Sequence, residues 1–242
     1  MVLFLNAGVI HRVGPHRLHV NLARRLATAG VTSLRLDLSG IGDSRSIPGA
    51  LSFRQSAVAD TRAAMNWLAA ETGHARFVLF GLCSGADNAI ATAMADERVA
   101  GLVLLDPPAY ATPQARARKL MTRVRAQRGP LALAGWLAGS LARYVGRTSQ
   151  SDLVGGREVP PAAEYRAQLA TLVDRGVAIL AVYSGGLGER YNHADQLFEL
   201  FPELRGKVDR AHFPSANHVF TELEAQAALT VTVMDWMVRQ TR

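Results

Sequence analysis

The chain has 242 residues, a formal net charge of +7 and a single cysteine, Cys83. This cysteine count excludes a disulfide framework and a cysteine-ligated metal site, and it fits a reducing cytoplasm. No apolar run reaches the roughly 18 residues that a membrane-spanning helix needs, and the apolar start at 2–5 is predicted to be a strand rather than a signal peptide.

Strand-like and helix-like runs alternate along most of the chain. The predicted strands cover residues 2–5, 32–36, 76–80, 99–105, 177–183 and 207–212, and the predicted helices cover residues 16–29, 52–72, 86–95 and 222–239. Short strands separated by helices of about ten or more residues indicate βαβ units and a parallel sheet. The sequence therefore predicts an α/β fold that forms a single domain over residues 1–242 with one sizeable core.

Residues 107–176 interrupt this alternation because they contain no convincing strand. Helices are predicted at 116–128 and 131–144, and a stretch rich in Ser, Gly and Pro follows up to Pro161. Insertions of this length between regular elements are usually functional. We expect a helical lid over the carboxyl edge of the sheet rather than a separate domain.

The stretch FVLFGLCSGADN places a cysteine and a serine between two glycines, after a predicted strand and before a predicted helix. The pattern Gly-x-nucleophile-x-Gly in this setting is a nucleophile elbow, whose tight turn requires small residues two positions before and after the nucleophile. Cys83 meets this requirement through Gly81 and Gly85, whereas Ser84 would have Leu82 at one of these positions. The spacing selects Cys83 as the nucleophile and leaves the backbone N–H of Ser84 to an oxyanion hole.

Two stretches resemble the α/β-hydrolase superfamily, and the resemblance covers nearly the whole chain. They are FGLCSGA at the elbow and LRLDLSGIGDS, which is similar to the family's Asp-x-x-Gly-x-Gly-x-Ser turn. Together with NAGVIHRVGPHRLHVNLARRLA and SANHVFTE, the elbow also resembles a bacterial subgroup that includes hydrolases associated with the exosortase A system. The superfamily usually has serine where this chain has Cys83, and dienelactone hydrolase is a precedent for the cysteine.

The resemblance implies an α/β-hydrolase fold, with a mainly parallel sheet, helices on both faces and a helical lid insertion. It also implies the order nucleophile, acid, histidine along the chain. Members of the superfamily normally begin with an antiparallel pair of strands, which we expect to be absent here. Six parallel strands would then remain, and a homodimer could cover the exposed edge of the sheet.

The general base is expected between the last predicted strand and the last predicted helix. His218 lies there, in the stretch FPSANHVFTE. His212 falls within the predicted strand, and we expect it to be a packed or surface side chain. His193 follows the loop on the lid side and is a candidate lining residue of the pocket.

The acid of the triad is expected after the strand predicted at 177–183. Glu189 is the favoured candidate, because it ends a Gly-Leu-Gly-Glu stretch that matches the family's Gly-x-x-Asp spacing with glutamate in place of aspartate. Asp106, at the end of the preceding predicted strand, is the alternative position that some family members use. A third alternative is that no acid takes part, because a thiol ionises more easily than a hydroxyl.

The second oxyanion donor is expected in the loop after the first predicted strand. Asn6, Ala7 and Gly8 replace the His-Gly that the family usually has there. By alignment with the family, the N–H of Val9 is the best candidate to act beside Ser84. Gly8 would allow close approach, and Asn6 could brace the loop.

These residues predict a hydrolase of acyl esters or thioesters that forms an acyl-cysteine intermediate and requires neither a metal nor an organic cofactor. One alternative is a cysteine-dependent acyltransferase of a biosynthetic pathway, because a thioester acyl-enzyme can also pass its acyl group to an amine or alcohol. A second alternative is a non-catalytic binding module, against which the Cys83 and His218 pair argues.

The distribution of basic residues in the insertion indicates which substrates and macromolecules the protein could bind. Residues 114–157 contain nine Arg or Lys residues and one acid, Asp152, and the helix predicted at 131–144 is mostly apolar. A basic rim with an apolar underside suits a small-molecule acyl substrate on an anionic handle, such as coenzyme A or an acyl carrier protein, although an arginine-rich solvated face explains the same charge. The basic residues have no interleaved aromatics, so no nucleic-acid partner is expected.

Overall fold

The computed structural model describes residues 1–47, 49, 51–126, 157 and 159–240. Its six strands are β1 (Val2–Phe4), β2 (Ser33–Arg35), β3 (Phe77–Leu82), β4 (Val99–Leu105), β5 (Ala178–Ser184) and β6 (Asp209–Phe213). They form one sheet in the order β2-β1-β3-β4-β5-β6, and all neighbouring strands are parallel. The predicted parallel sheet is confirmed, and within the described ranges no strand pairs in the antiparallel direction.

Outside the insertion, the four predicted helices are confirmed, and the short helix Gln196–Leu200 was not predicted. Those described are α1 (Leu18–Thr28), α2 (Phe53–Thr72), α3 (Ser84–Ala95), α4 (Pro113–Ala126), α5 (Ala162–Asp174), α6 (Gln196–Leu200) and α7 (Leu223–Gln240). Within the insertion, α4 confirms the helix predicted at 116–128, whereas the helix predicted at 131–144 lies outside the described residues. None of the described helices is both long and apolar enough to cross a membrane.

Helices cover both faces of the sheet, and each face has its own core. On one face, Met65 of α2, Ile90 of α3 and Leu169 of α5 pack with the strands. On the other face, Leu22 of α1 and Trp236 of α7 do so. A parallel sheet covered on both sides buries both faces of its inner strands, which explains apolar runs such as FVLFGL in β3 and VAGLVLL in β4.

The helix α5 was not predicted from the sequence. Its residues Tyr165, Leu169 and Leu172 recur at helical spacing and are all fully buried. The hydroxyl of Tyr110 donates to the carbonyl oxygen of Pro160 at 2.7 Å, just before α5 begins. This contact joins the residue that precedes α5 by two positions to the segment that follows β4.

The carboxyl ends of β3, β4 and β5 lie side by side at one edge of the sheet. Leu82 is in register with Leu105, and Leu105 is in register with Val182. Residues that directly follow these strands therefore meet at the same edge, where α/β folds of this kind bind their ligands.

Candidate active site

Cys83 occupies a strained turn between β3 and α3. Its backbone has φ 58° and ψ −119°, and this conformation is energetically unfavourable for any residue that has a side chain. The two flanking glycines are required by close backbone contacts. A Cβ atom on Gly81 would overlap the backbone of Gly85, and one on Gly85 would lie 2.6 Å from the carbonyl oxygen of Asn6. The strand–turn–helix predicted for the elbow is confirmed, with Cys83 at its apex.

The thiol of Cys83 is surrounded by groups that favour its ionised form. Burial opposes ionisation, but a hydrogen bond with His218, the charge of Arg157 and the backbone N–H of Ser84 outweigh it, so the pKa of Cys83 is lowered. The thiol also lies at the N-terminus of α3, where the partial positive charge of the helix favours an anion.

His218 connects the thiol to a buried carboxylate. Its Nδ1 lies 2.6 Å from Oδ2 of Asp106, whose side chain is fully buried. That carboxylate also accepts hydrogen bonds from the backbone N–H of Ser184 at 2.7 Å and from the Ser184 hydroxyl at 2.6 Å. The hydrogen bonds of His218 with Asp106 and then with Cys83 raise its pKa to about 9. Both partners therefore stabilise the imidazolium.

The preference for Glu189 as the acid is corrected by this geometry. Glu189 is half exposed and forms ion pairs with Lys119 and with Arg123, the latter at 3.1 Å. After β5 the chain forms a short 3₁₀ turn, and Gly188, at φ 56°, directs Glu189 toward α4. The alternative position, Asp106 at the end of β4, is the one that contacts His218.

The loop after β1 contacts the elbow through Gly8. The backbone N–H of Gly8 donates to Oγ of Ser84 at 2.8 Å, whereas the side chain of Val9 is 90% exposed. The amide bonded to the elbow is that of Gly8, and the role of the Val9 N–H as second oxyanion donor stays a prediction. Asn6 braces the loop as expected, since its Nδ2 donates to the carbonyl oxygen of Ile10 at 3.0 Å.

Comparison with known proteins agrees with this geometry. A model of the alpha/beta hydrolase family matches residues 2–233. The chain belongs to the alpha/beta hydrolase family. A search of the curated proteins gave no significant match.

Solved structures share the fold of this alpha/beta hydrolase at low sequence identity. The Pyrococcus furiosus esterase PF2001 has a TM-score of 0.61 and 15% identity, over 100% of this chain and 81% of its own. XC6422 from Xanthomonas campestris is described as a serine hydrolase without a lid. It has a TM-score of 0.57 and 16% sequence identity, and the match covers 99% of this chain and 81% of XC6422. A thermophilic esterase from Thermogutta terrifontis has a TM-score of 0.56 and 19% sequence identity, and the match covers 98% of this chain and 89% of the esterase.

Arg157 is a site residue that the sequence did not single out. Its Nε and Nη2 each lie 2.6 Å from a carboxylate oxygen of Asp87, and its Nη1 donates to the backbone carbonyl of Asp106 at 3.0 Å. The same Nη1 is 3.8 Å from Sγ of Cys83. The available signal was Asp87, because the one charged residue of the helix SGADNAIATAMA requires a cationic partner when it is buried.

A small cavity of about 180 Å³ opens beside the thiol of this hydrolase. Its apolar walls are Pro107, Pro108, Ala109, Val159 and Leu187. Cys83, His218, Arg157 and Arg190 also line it. The thiol is therefore accessible from this cavity.

The other two candidate histidines lie outside this group. His212 is a half-buried residue of β6 that packs against the ring of Tyr191, and burial lowers its pKa. His193 is buried with its Nε2 2.6 Å from Oε1 of Glu199, and it does not line the cavity. In the part of the chain that the structure describes, no three His, Cys, Asp or Glu side chains cluster as metal ligands.

Proposed function

We propose that this alpha/beta hydrolase cleaves acyl esters or thioesters through a Cys83–His218–Asp106 triad. The observation that carries the proposal is the placement of His218, which lines the same cavity as the thiol at the nucleophile elbow and has its Nδ1 2.6 Å from the buried carboxylate of Asp106. A nucleophile, a base and a group that orients the base are the three parts that nucleophilic acyl transfer needs.

The first step forms the acyl-cysteine. The proton of Cys83 resides on His218, and the thiolate attacks the carbonyl carbon of the substrate. The carbonyl electron pair moves onto oxygen, and returns when the bond to the leaving group breaks. The imidazolium gives its proton to the departing alkoxide or thiolate, while Asp106 holds Nδ1 and thereby directs Nε2 toward the reaction.

The second step is hydrolysis of the thioester. Neutral His218 takes a proton from water, and the oxygen of that water attacks the acyl carbon. The carbon–sulfur bond then breaks, so that the carboxylic acid leaves and the thiolate–imidazolium pair is restored. The atoms balance as ester plus water giving acid plus alcohol, or thiol from a thioester.

The oxyanion hole in this proposal consists of the backbone N–H groups of Ser84 and Gly8. The Ser84 amide lies at the thiol, and the Gly8 amide bonds the Ser84 hydroxyl at 2.8 Å. An incoming oxyanion would replace that hydroxyl as the acceptor of the Gly8 N–H. Each such donor typically lowers the barrier by about 3 kcal/mol.

The cavity supports a short or slender acyl group. Its 180 Å³ is close to the size of a cavity that holds one benzene molecule. The coenzyme A or acyl carrier protein handle stays a prediction, because the charge of Arg157 at the cavity wall is already paired with Asp87.

Steady-state hydrolysis of p-nitrophenyl acetate and butyrate tests the proposal. Cys83→Ala should abolish turnover, and Ser84→Ala should retain most of it, because only the backbone N–H of Ser84 is used. Turnover that survives in Cys83→Ala and disappears in Ser84→Ala would refute the assignment of the nucleophile. Adding amine and alcohol acceptors then separates hydrolysis from acyl transfer, since a transferase yields the acylated acceptor in place of the free acid.

A further inference from the structure

The guanidinium group of Arg157 lies close to the thiol of Cys83. The side chain of Arg157 is only 9% exposed, and three of its nitrogens are engaged. Nε and Nη2 form a bidentate pair with Asp87, which fixes the plane of the group. Nη1 is thereby held between the carbonyl oxygen of Asp106 and Sγ of Cys83.

The burial of this arginine is supported by Asp87, one helical turn after Cys83 on α3. The carboxylate of Asp87 is 8% exposed, so each charge offsets the desolvation of the other. The pair is nearly neutral when viewed from a distance. The thiol is close to the cation, however, because Nη1 lies 3.8 Å from Sγ. The positive charge of the guanidinium therefore acts on the sulfur more strongly than the negative charge of Asp87 does.

We propose that Arg157 is a positioning residue that keeps Cys83 in the thiolate form, and that Asp87 serves to hold the guanidinium in place. The inference rests on the proposed role of Cys83 as nucleophile. An opposite charge at about 4–6 Å stabilises an ionised group, and an N–H donor directed at sulfur does so further. The backbone contact with Asp106 ties the same guanidinium to the residue that orients His218.

Several other charged groups face the thiol and must be kept constant in a test. His218 and Asp106 lie on the side of the triad, Asp87 lies on α3, and Arg190 lies across the cavity. The variants below change only Arg157 and Asp87. Cys83 is the only cysteine of the chain, so thiol chemistry reports on this position alone.

The experiment measures the rate of alkylation by iodoacetamide between pH 4 and pH 10, followed by intact mass, in wild type, Arg157→Gln and the double variant Arg157→Gln with Asp87→Asn. Arg166→Gln is the matched control, because it breaks an exposed ion pair with Glu203. We expect the apparent pKa of the thiol to rise by about 1–3 units in Arg157→Gln, since the cation is lost and Asp87 is left unpaired.

The double variant decides between a specific role and a structural one. It removes both charges at nearly constant volume, so it is expected to fold even where the single variant does not. We expect its thiol pKa to lie above that of wild type and below that of Arg157→Gln. The proposal would be overturned if the thiol pKa of the double variant, or of a folded Arg157→Gln, equalled that of wild type. The ion pair would then have a structural role and no effect on the ionisation of the thiol. Alkylation requires no ester turnover, so this result is independent of the proposed hydrolysis.

Discussion

The imidazole of His218 lies between two groups that favour its charged form. Asp106 accepts from Nδ1, and the thiol of Cys83 is the second partner that raises the pKa of the imidazole. A thiolate–imidazolium pair is therefore the expected resting state of the site. In this state the nucleophile is already ionised, and the acid that protonates the leaving group is already in place.

Replacing the buried acid should reduce turnover far more than replacing the exposed one. In Asp106→Asn the side chain no longer favours the imidazolium, and kcat should fall by about 10²- to 10⁴-fold. The matched variant Glu189→Gln removes a carboxylate that pairs with Lys119 and Arg123, and it should remain within about twofold of wild type. Steady-state ester hydrolysis measures both. The opposite order of effects would restore Glu189 as the acid.

At the scale of the elements, the elbow depends on close contact between the backbone of Gly81 at the end of β3 and the backbone of Gly85 in the first turn of α3. Because a Cβ on Gly81 would overlap the backbone of Gly85, Gly81→Ala must displace either β3 or the first turn of α3. We expect a loss of about 2–4 kcal/mol in the free energy of unfolding, measured with urea. Gly49→Ala is the control, because its Cβ would meet no atom within 4 Å. Equal stability of the two variants would contradict the described contact.

Local patterns predicted the six strands and most of the helices, but long-range contacts determine which acid contacts His218. β3, the elbow and α3 follow from consecutive residues, and so does the position of His218 after β6. Asp106 and Glu189 both follow a sheet strand, and only the packed structure reveals which one contacts His218. Arg157 pairs with Asp87, 70 residues away, and the sequence had no signal that joins them.

At the scale of the whole molecule, the charged pair links stability to pH. The pKa of His218 is raised from 6.5 in the unfolded chain to about 9 in the folded protein. Its contribution to stability is therefore fully present below pH 6.5 and is lost as the pH rises through 9. The imidazole is more than one-third exposed, so solvent screening reduces the size of this effect.

In a Cys83→Ala background, which removes the coupled thiol, we expect the protein with His218 to exceed His218→Gln in unfolding free energy at pH 6, and the difference to shrink by pH 9.5. Urea unfolding at both pH values, with the exposed variant His16→Gln as a reference, measures this change. A difference that grows with pH would contradict the raised pKa of His218.

Direct detection of the acyl-enzyme tests the central claim of a cysteine nucleophile. Rapid mixing with p-nitrophenyl acetate, acid quenching and intact mass should reveal one acetyl group on wild type and on Ser84→Ala, with a matching burst of p-nitrophenol. Cys83→Ala should show neither. An acetyl adduct that persists in Cys83→Ala, or peptide mapping that places it on Ser84, would contradict the account.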